Sequence, residues 1–438
     1  MEYQIDTKCF HDEQHFVTNQ GFINLTIGAP GVKTLSESRK IFRESAKARL
    51  SSEHDCCDIA MFQYGVEEGP TSFINQLSSL LSVGYDDHVD TKNLFLTGGA
   101  SFGFFLLSAI LLPKDKMTPI FVESPTYFLV LKMLKDHDFQ NIIPIPMQND
   151  GADIEILERE MKKEYERIPM ASQENTEYFR GIFYTIPTYH NPTGVCMSES
   201  KCQKVVELAR RFNMLVCCDD VYNLLHYTSK TNQSTSGAPK RLVSYDNQKD
   251  NDYGSGHVIS NGSFSKILAP GVRVGWIESS TEIISRLAKC GMVYSGGSVN
   301  SVTSGIIATS IELGLLPRHI EKLRSEYGKR MEACLSILNR KLPDGFECNE
   351  PGGGYFLWIT GPIDSFDGDR FSHFCMEEFN VKVLPGSRCS SARSPSVNNM
   401  KNDRMMCKNA FRISIGYYEQ DELCRAVNSL CEACAQFK

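Results

Sequence analysis

The run Ser263-Phe264-Ser265-Lys266-Ile267-Leu268-Ala269-Pro270-Gly271-Val272-Arg273-Val274-Gly275-Trp276 sets one lysine beside two serines, then a Pro-Gly turn, then one arginine leading into an apolar stretch. A lysine amine forms Schiff bases with carbonyls. An arginine fork grips a phosphate through two parallel hydrogen bonds. A ligand carrying both an aldehyde and a phosphate uses both groups at one site. Pyridoxal phosphate is such a ligand, and it also asks for a charged partner at its ring nitrogen. A lysine near an arginine is equally an ordinary solvated pair, so this reading depends on further parts elsewhere in the chain.

Those parts are present, each open to a plainer reading by itself. Asp219, in Asp219-Asp220-Val221-Tyr222, follows the apolar run Met214–Cys218. Ligands of open α/β sheets bind beyond such strand ends. A carboxylate there keeps a pyridine nitrogen protonated, and Tyr222 is placed to donate to the ring's phenolic oxygen; alternatively Asp219 caps a helix. Asn191, in His190-Asn191-Pro192-Thr193-Gly194, offers an amide donor or simply makes an Asn-Pro turn. Gly98-Gly99-Ala100-Ser101 turns a strand into a helix, which suits a phosphate at a helix N-terminus or plain close packing. Tyr127 follows another strand end and can stack on a flat ring or be half-buried filler. Arg412 interrupts the alternating run Phe411–Ile415 and fits a carboxylate if it faces inward. Tyr64 and Asn24 are weaker members of the set.

The elements that must position them alternate in type. Short β-rich runs cover Asn93–Thr97, Pro119–Val122, Ile142–Pro146, Gly181–Thr185, Met214–Cys218, His257–Ser260 and Val272–Ile277. Helical patterns lie between them at Phe102–Leu112, Tyr127–Leu134, after Asp153 and at Glu199–Phe212. This alternation predicts a mostly parallel sheet with helices on both faces, with Val272–Ile277 as an antiparallel member. From Ser304 two long helices, Ser304–Leu315 and Pro317–Lys341, lead into strands near Gly354–Ile359, Val381–Leu384 and Phe411–Ile415 and a closing helix from Gln420. The expected division is an N-terminal segment over residues 1–44, a large domain over 45–303 and a smaller α+β domain over 304–438. Polar stretches Met170–Glu177, Thr228–Gly256 and Ser390–Asp403 read as surface insertions.

The 438 residues, 41% hydrophobic and 23% charged, have ordinary globular composition and are enough for two cores. A net charge of -7 argues against a nucleic-acid surface. No stretch reaches the roughly 18 apolar residues of a membrane helix. The opening MEYQIDTKCFHDEQH has neither an apolar core nor a basic run, so a cytoplasmic protein is expected. The 16 cysteines, among them Cys217, Cys218 and the lone pair Cys431 and Cys434, read as buried free thiols. His11 and His15 read as solvated, and no metal site is expected.

Taken in order, phosphate turn, stacking Tyr, Asn, Asp, Lys and Arg resemble the class I/II aminotransferases, the fold-type-I pyridoxal-phosphate enzymes, nearest the aminoadipate, valine and aromatic transaminase branch. The similarity runs from Ile23-Asn24-Leu25-Thr26-Ile27-Gly28 to Phe411-Arg412-Ile413-Ser414. It implies a large domain with a mostly parallel seven-stranded sheet and a smaller α+β domain. By the same resemblance, Lys266 looks like the Schiff-base lysine and proton shuttle, Asp219 like the ring-nitrogen partner, and Asn191 and Tyr222 like donors to the ring oxygen. Tyr127 looks like the stacking ring. Gly99, Ala100, Ser101, Ser263, Ser265 and Arg273 look like the phosphate cup. Arg412, helped by the backbone near Gly28, looks like the clamp on the substrate carboxylate, with Asn191 beside it. Tyr64 resembles the residue that reaches the neighbouring subunit's phosphate, which implies a homodimer with sites at the subunit interface. The implied activity is amino transfer between an L-amino acid and a 2-oxo acid, such as 2-oxoglutarate or pyruvate, by a ping-pong cycle. A pyridoxal-phosphate lyase or synthase shares the same residues, and a regulatory module that binds the cofactor without turnover is the non-enzymatic alternative. Phe102 and Phe104 make the phosphate helix bulkier than the pattern expects.

Overall fold

The computed structural model describes residues 21–51, 61–167, 178–227, 238–391 and 407–437. After a short β1 (Ile23–Asn24) come β2 (Leu94–Thr97), β3 (Ile120–Ser124), β4 (Ile142–Gln148), β5 (Gly151–Ala152), β6 (Ile182–Thr185), β7 (Leu215–Asp219), β8 (Val258–Ser263) and β9 (Gly275–Glu278). They form one sheet in the order β2-β9-β8-β7-β6-β3-β4-β5. β4, β3, β6, β7 and β8 pair in parallel, and β9 runs antiparallel between β8 and β2. Strands β3, β6 and β7 read as near-continuous apolar runs because helices cover both faces of a parallel sheet. The helix Glu199–Phe212 shows how that cover is coded. Cys202, Val205, Val206, Ala209 and Phe212 recur at three- and four-residue intervals and are its buried face. It stops at Asn213, which takes the left-handed conformation.

Beyond Ser301, the helices Ser301–Glu312 and Leu315–Lys341 precede β10 (Glu347–Cys348), β11 (Phe356–Thr360), β12 (Val381–Lys382), β13 (Leu384–Pro385) and β14 (Ala410–Ser414). β10, β11, β14 and β13 form an antiparallel sheet. The closing helix Gln420–Gln436 packs on Leu315–Lys341 and starts with a capping box between Glu419 and Glu422. β1 pairs in parallel with β12, tying the chain's early segment to this C-terminal region. One continuous apolar cluster runs from Phe73 and Leu77 through Phe264 and Ile267 to Leu357 and Leu430, so the two sheets are held by shared packing.

Four expectations change. The main sheet has eight strands, because the two-residue β5 adds to the edge of β4. The run expected from Val272 becomes a strand only at Gly275, since Pro270–Val272 is a 3-10 turn and Arg273 has φ 50. The run Val381–Leu384 splits between β12 and β13, which belong to different sheets. The stretch Thr228–Gly256 is not wholly superficial: Arg241 is 1% exposed, ion-paired to Glu278 and, at 2.8 Å, to Asp87. Met170–Glu177 lies outside the described residues, as do His11, His15 and most of Ser390–Asp403. Cys217, Cys218, Cys431 and Cys434 are buried free thiols. Among the described residues no helix is long and apolar enough to cross a membrane.

Candidate active site

A cleft of about 250 Å³ opens at the carboxyl ends of the main-sheet strands. Five strand exits deliver its walls. Ala100 and Ser101 follow β2, Tyr127 follows β3, Asn191 follows β6, Asp219 ends β7, and Ser263 with Ser265 and Lys266 close β8. The C-terminal sheet contributes Phe356 and Arg412, and the segment after β1 contributes Thr26, Ile27, Gly28 and Ala29. This is where an open α/β sheet places its ligand.

Lys266 and Asp219 are both half-buried in the cleft wall, and their charges respond in opposite senses. Burial, with help from the positive Arg412 and Arg273, pulls the Lys266 amine down to about 8, while Asp219 partly opposes the shift. Burial raises the Asp219 carboxyl to about 6, against the hydrogen bond from Tyr184 and the nearby Lys266. The Lys266 Nζ donates to the Gly28 carbonyl at 2.7 Å. The lysine's own carbonyl accepts from Tyr355 Oη at 2.8 Å, which fixes the backbone behind the amine. Burial also raises the phenols of Tyr127 and Tyr222, keeping both as hydrogen-bond donors.

Another part of the cleft lining suits an anion. Ser263 Oγ donates to Ser265 Oγ at 2.9 Å and accepts from the Ser265 amide at 3.1 Å. The helix Ala100–Leu111 begins there, so its free N–H groups and dipole favour negative charge. Gly99 precedes it at φ +100, and a Cβ there would lie 3.1 Å from Arg273 Nη2, so the glycine makes room for the guanidinium. Phe104 does not crowd this cup. It is buried on the sheet side, edge-on to Tyr184 at 5.4 Å between centroids.

Arg412, 3% exposed on β14, donates through Nη1 to Asn191 Oδ1 at 2.8 Å and through Nη2 to the Thr26 carbonyl at 2.6 Å. Its guanidinium carbon sits 4.1 Å over the Phe356 ring. Asn191 is placed by a fully buried loop whose His190 lies 3.1 Å from Glu123. Glu123 also accepts from Thr185 Oγ1 at 2.6 Å and the Ile186 amide at 2.8 Å.

Asp219 Oδ1 and Arg412 Nε are buried and lack hydrogen-bond partners among the described residues. An unpaired buried carboxylate oxygen is costly unless a ligand pairs it. A carboxylate oxygen free toward the cleft, a lysine amine lowered to about 8 and a separate anion cup match the ring nitrogen, aldehyde and phosphate of pyridoxal phosphate.

Most residues expected from sequence, Gly28 included, meet in this one cleft. Gly28 lines the cleft and its carbonyl accepts from Lys266, while the carbonyl that holds Arg412 is that of Thr26, two residues earlier. Asn24 turns back onto Thr26, accepting from its amide at 3.1 Å and its hydroxyl at 2.7 Å. Tyr64, expected to serve a neighbouring subunit's site and not its own, is 80% exposed. Tyr184 and Phe356 are the members that sequence reading missed. Both lie in apolar strands, where an aromatic residue signals packing; Gly352-Gly353-Gly354 just before Tyr355-Phe356 was the available cue to a close backbone approach.

The fold and cleft define a pyridoxal-phosphate-dependent transferase of the large-sheet type. The model of the family described as aminotransferase class I and II matches residues 21–430, and the chain belongs to that family. It is 30% identical over 393 residues to an uncharacterized protein of Saccharomyces cerevisiae, covering 85% of this chain and 86% of the relative. It is 28% identical to aromatic-amino-acid aminotransferase 1 of Thermococcus litoralis, covering 84% and 79% of the two chains. The structure of Pyrococcus horikoshii kynurenine aminotransferase, solved with PMP, kynurenine and its product, superimposes with a TM-score of 0.76 at 26% identity, over 96% and 92% of the chains. The protein is a PLP-dependent aminotransferase.

Proposed function

We propose that this aminotransferase moves the amino group of an L-amino acid with an apolar side chain to a 2-oxo acid in a ping-pong cycle. The observation that carries it is the convergence of Lys266, Asp219 and Arg412 on one cleft, with the amine drawn down to about 8 and the carboxyl up to about 6. Bound there, pyridoxal phosphate supplies a carbonyl carbon that takes the amino group and a ring that disperses charge from the substrate's α-carbon. Ser101, Ser263, Ser265 and Arg273, with the backbone at Gly99 and Ala100, would hold the phosphate. Tyr127 would lie against the ring, Asn191 and Tyr222 would donate to its oxygen, and Asp219 Oδ1 would accept from its nitrogen. Arg412 binds the substrate carboxylate and so sets which α-substituent faces Lys266. The Lys266 amine, neutral in an appreciable fraction near neutral pH, takes the α-proton.

Once those polar groups are assigned, the remaining lining is Ile27, Ala29, Phe128, Leu129, Val221, Pro270 and Phe356. A side-chain carboxylate against that wall would lose its hydration without a counter-charge. The names of the Thermococcus and Pyrococcus relatives, aromatic and kynurenine aminotransferases, support the same preference.

The proposed assembly is a homodimer. Phe62, Tyr64, Met292 and Tyr294 are 56–80% exposed apolar residues on two segments joined by the Ser298 amide and Val66 carbonyl at 3.1 Å. That patch suits a second copy, whose Tyr64 would then reach this cleft. The proposed compartment is the cytoplasm, where buried thiols stay reduced.

The test is a set of single-turnover reactions of the holoenzyme with Phe, Leu, Met, Asp and Glu, without acceptor. Release of oxo acid in stoichiometric amount before any second substrate is added is expected, fastest for the apolar donors, and absent in Lys266→Ala. Ammonia release in place of oxo acid with retained nitrogen would replace transfer by elimination.

A further inference from the structure

Among the described residues, one side chain hydrogen-bonds to Asp219. Tyr184 Oη donates to Asp219 Oδ2 at 2.6 Å, while Oδ1 has no partner among the described residues. The sheet register explains the contact. Tyr184 on β6 pairs with Cys217 on β7, and Asp219 is two residues further along the same strand. Alternate residues share a face, so the tyrosine and the carboxylate are diagonal neighbours on one side of the sheet, within reach of a long aromatic side chain. The tyrosine ring is itself fixed: it is 2% exposed, with Phe104 edge-on at 5.4 Å and 79°. Phe104 belongs to the helix Ala100–Leu111 that opens the anion cup. One rigid chain of contacts thus links the cup to the carboxylate.

We propose that Tyr184 is a positioning residue that orients the Asp219 carboxylate, committing Oδ2 and leaving Oδ1 for the ring nitrogen of pyridoxal phosphate. Two properties make it suited to this. Its hydroxyl is pushed well above 10 by burial and by the Asp219 charge, so it remains a donor across the working range. A donated hydrogen bond also favours the ionised carboxylate, the form that retains a proton on the ring nitrogen. Phe104, the bulky departure in the phosphate helix, becomes the wall that keeps the tyrosine pointed at its acceptor. The proposal rests on Asp219 meeting the ring nitrogen, and the test separates the two.

Reconstitute wild type, Tyr184→Phe and Asp219→Asn with cofactor labelled with ¹⁵N in the ring, and follow the ring-nitrogen shift against pH together with the dissociation constant of the cofactor. Tyr184→Phe is expected to release the ring proton about one pH unit lower, the worth of one hydrogen bond to a charged group, and to bind cofactor about tenfold more weakly. A titration and a dissociation constant that superimpose on wild type overturn the proposal, also when the melting temperature falls, because packing alone would do that. Asp219→Asn is expected to move the titration further than Tyr184→Phe. If it moves nothing, the Asp219 assignment fails first, whatever Tyr184 does. Should Tyr184→Phe not fold, 3-fluorotyrosine at position 184 keeps the shape and donates more strongly. An upward shift of the titration is then expected, and an unmoved one overturns the role.

Discussion

Arg412 Nη1 donates to Asn191 Oδ1 at 2.8 Å, and this contact decides which way the Asn191 carboxamide faces. With its oxygen committed to the guanidinium, the amide nitrogen is the group left for the cleft that Asn191 lines. The proposed carboxylate clamp and the proposed donor to the ring oxygen are therefore set by one hydrogen bond.

Substitutions at Asn191 separate these two duties. Asn191→Asp retains an acceptor for Arg412 but has no amide donor, so kcat is expected to fall about 10–100-fold while KM for the amino donor stays within about threefold. Asn191→Ala also strips Nη1 of its partner, and KM is expected to rise as well. Steady-state kinetics of the two variants check this, and equal KM values in both would disconnect Asn191 from the clamp.

The lowered Lys266 amine gives a pH signature in the apoprotein. An ammonium cannot attack an aldehyde, so the rate of reconstitution with pyridoxal phosphate should climb as Nζ loses its proton. The midpoint is expected near 8, where burial puts the amine, well below the ordinary lysine value of 10.5. Stopped-flow absorbance of the developing visible band measures it, and Lys266→Ala should develop no such band. A midpoint near 10 would mean that water reaches Nζ far better than its burial indicates.

The sequence disclosed those parts of the site that chemistry marks by residue type at a strand exit. Lys266, Asp219, Asn191 and Arg412 are polar residues at or inside apolar runs, which is why they stood out, and each lines the cleft. Tyr184 and Phe356 do the opposite: an aromatic residue in a strand looks like core until its neighbour across the sheet is known. The contacts of Thr26 with Arg412 and of Gly28 with Lys266 run through carbonyls, which every residue owns, so side-chain type carried no signal for them. Arg241 was hidden for another reason. Its partners Asp87 and Glu278 are distant in sequence, and hydropathy within a polar stretch reports nothing about a salt bridge formed 154 positions away. Likewise, alternation along Val381–Leu384 marked extended chain but not that its ends would join different sheets.

Asp219 is kept at a cost to stability, which predicts a gain on neutralising it. Its folded-state value near 6 lies above the unfolded value near 3.8, so ionisation is harder in the folded chain. The native state is thus relatively favoured below pH 4, and that advantage is lost as pH rises to 6. Asp219→Asn cannot ionise, and its oxygen still accepts from Tyr184. At pH 8 the apoprotein of this variant is expected to be more stable by about 2–3 kcal/mol, at pH 3.5 hardly at all. Denaturant unfolding of both apoproteins at the two pH values measures this. A variant less stable than wild type at pH 8 would contradict the burial penalty, whereas loss of turnover with gained stability is the expected trade at a functional carboxylate.

Gly28 offers a test of the wall opposite Lys266. Its backbone conformation is one any residue adopts, but a Cβ there would lie 2.8 Å from Phe356 Cζ and 3.1 Å from Cε1. Phe356 is 1% exposed, stacked under Arg412 at 4.1 Å and edge-on to Tyr222 at 5.6 Å, so the ring has little free space to retreat into. Gly28→Ala should therefore push the ring, and with it the Arg412 guanidinium, by a few tenths of an ångström. Overpacking of this kind costs about 1–3 kcal/mol of stability. The larger effect is expected on substrate: KM for the amino donor up about tenfold, kcat within about threefold, and cofactor affinity unchanged, since the phosphate cup is elsewhere. Steady-state kinetics and cofactor titration of Gly28→Ala read these three quantities. A fall in kcat at constant KM would instead assign the importance of Gly28 to its carbonyl on Lys266, because that contact touches the amine proposed to move the proton.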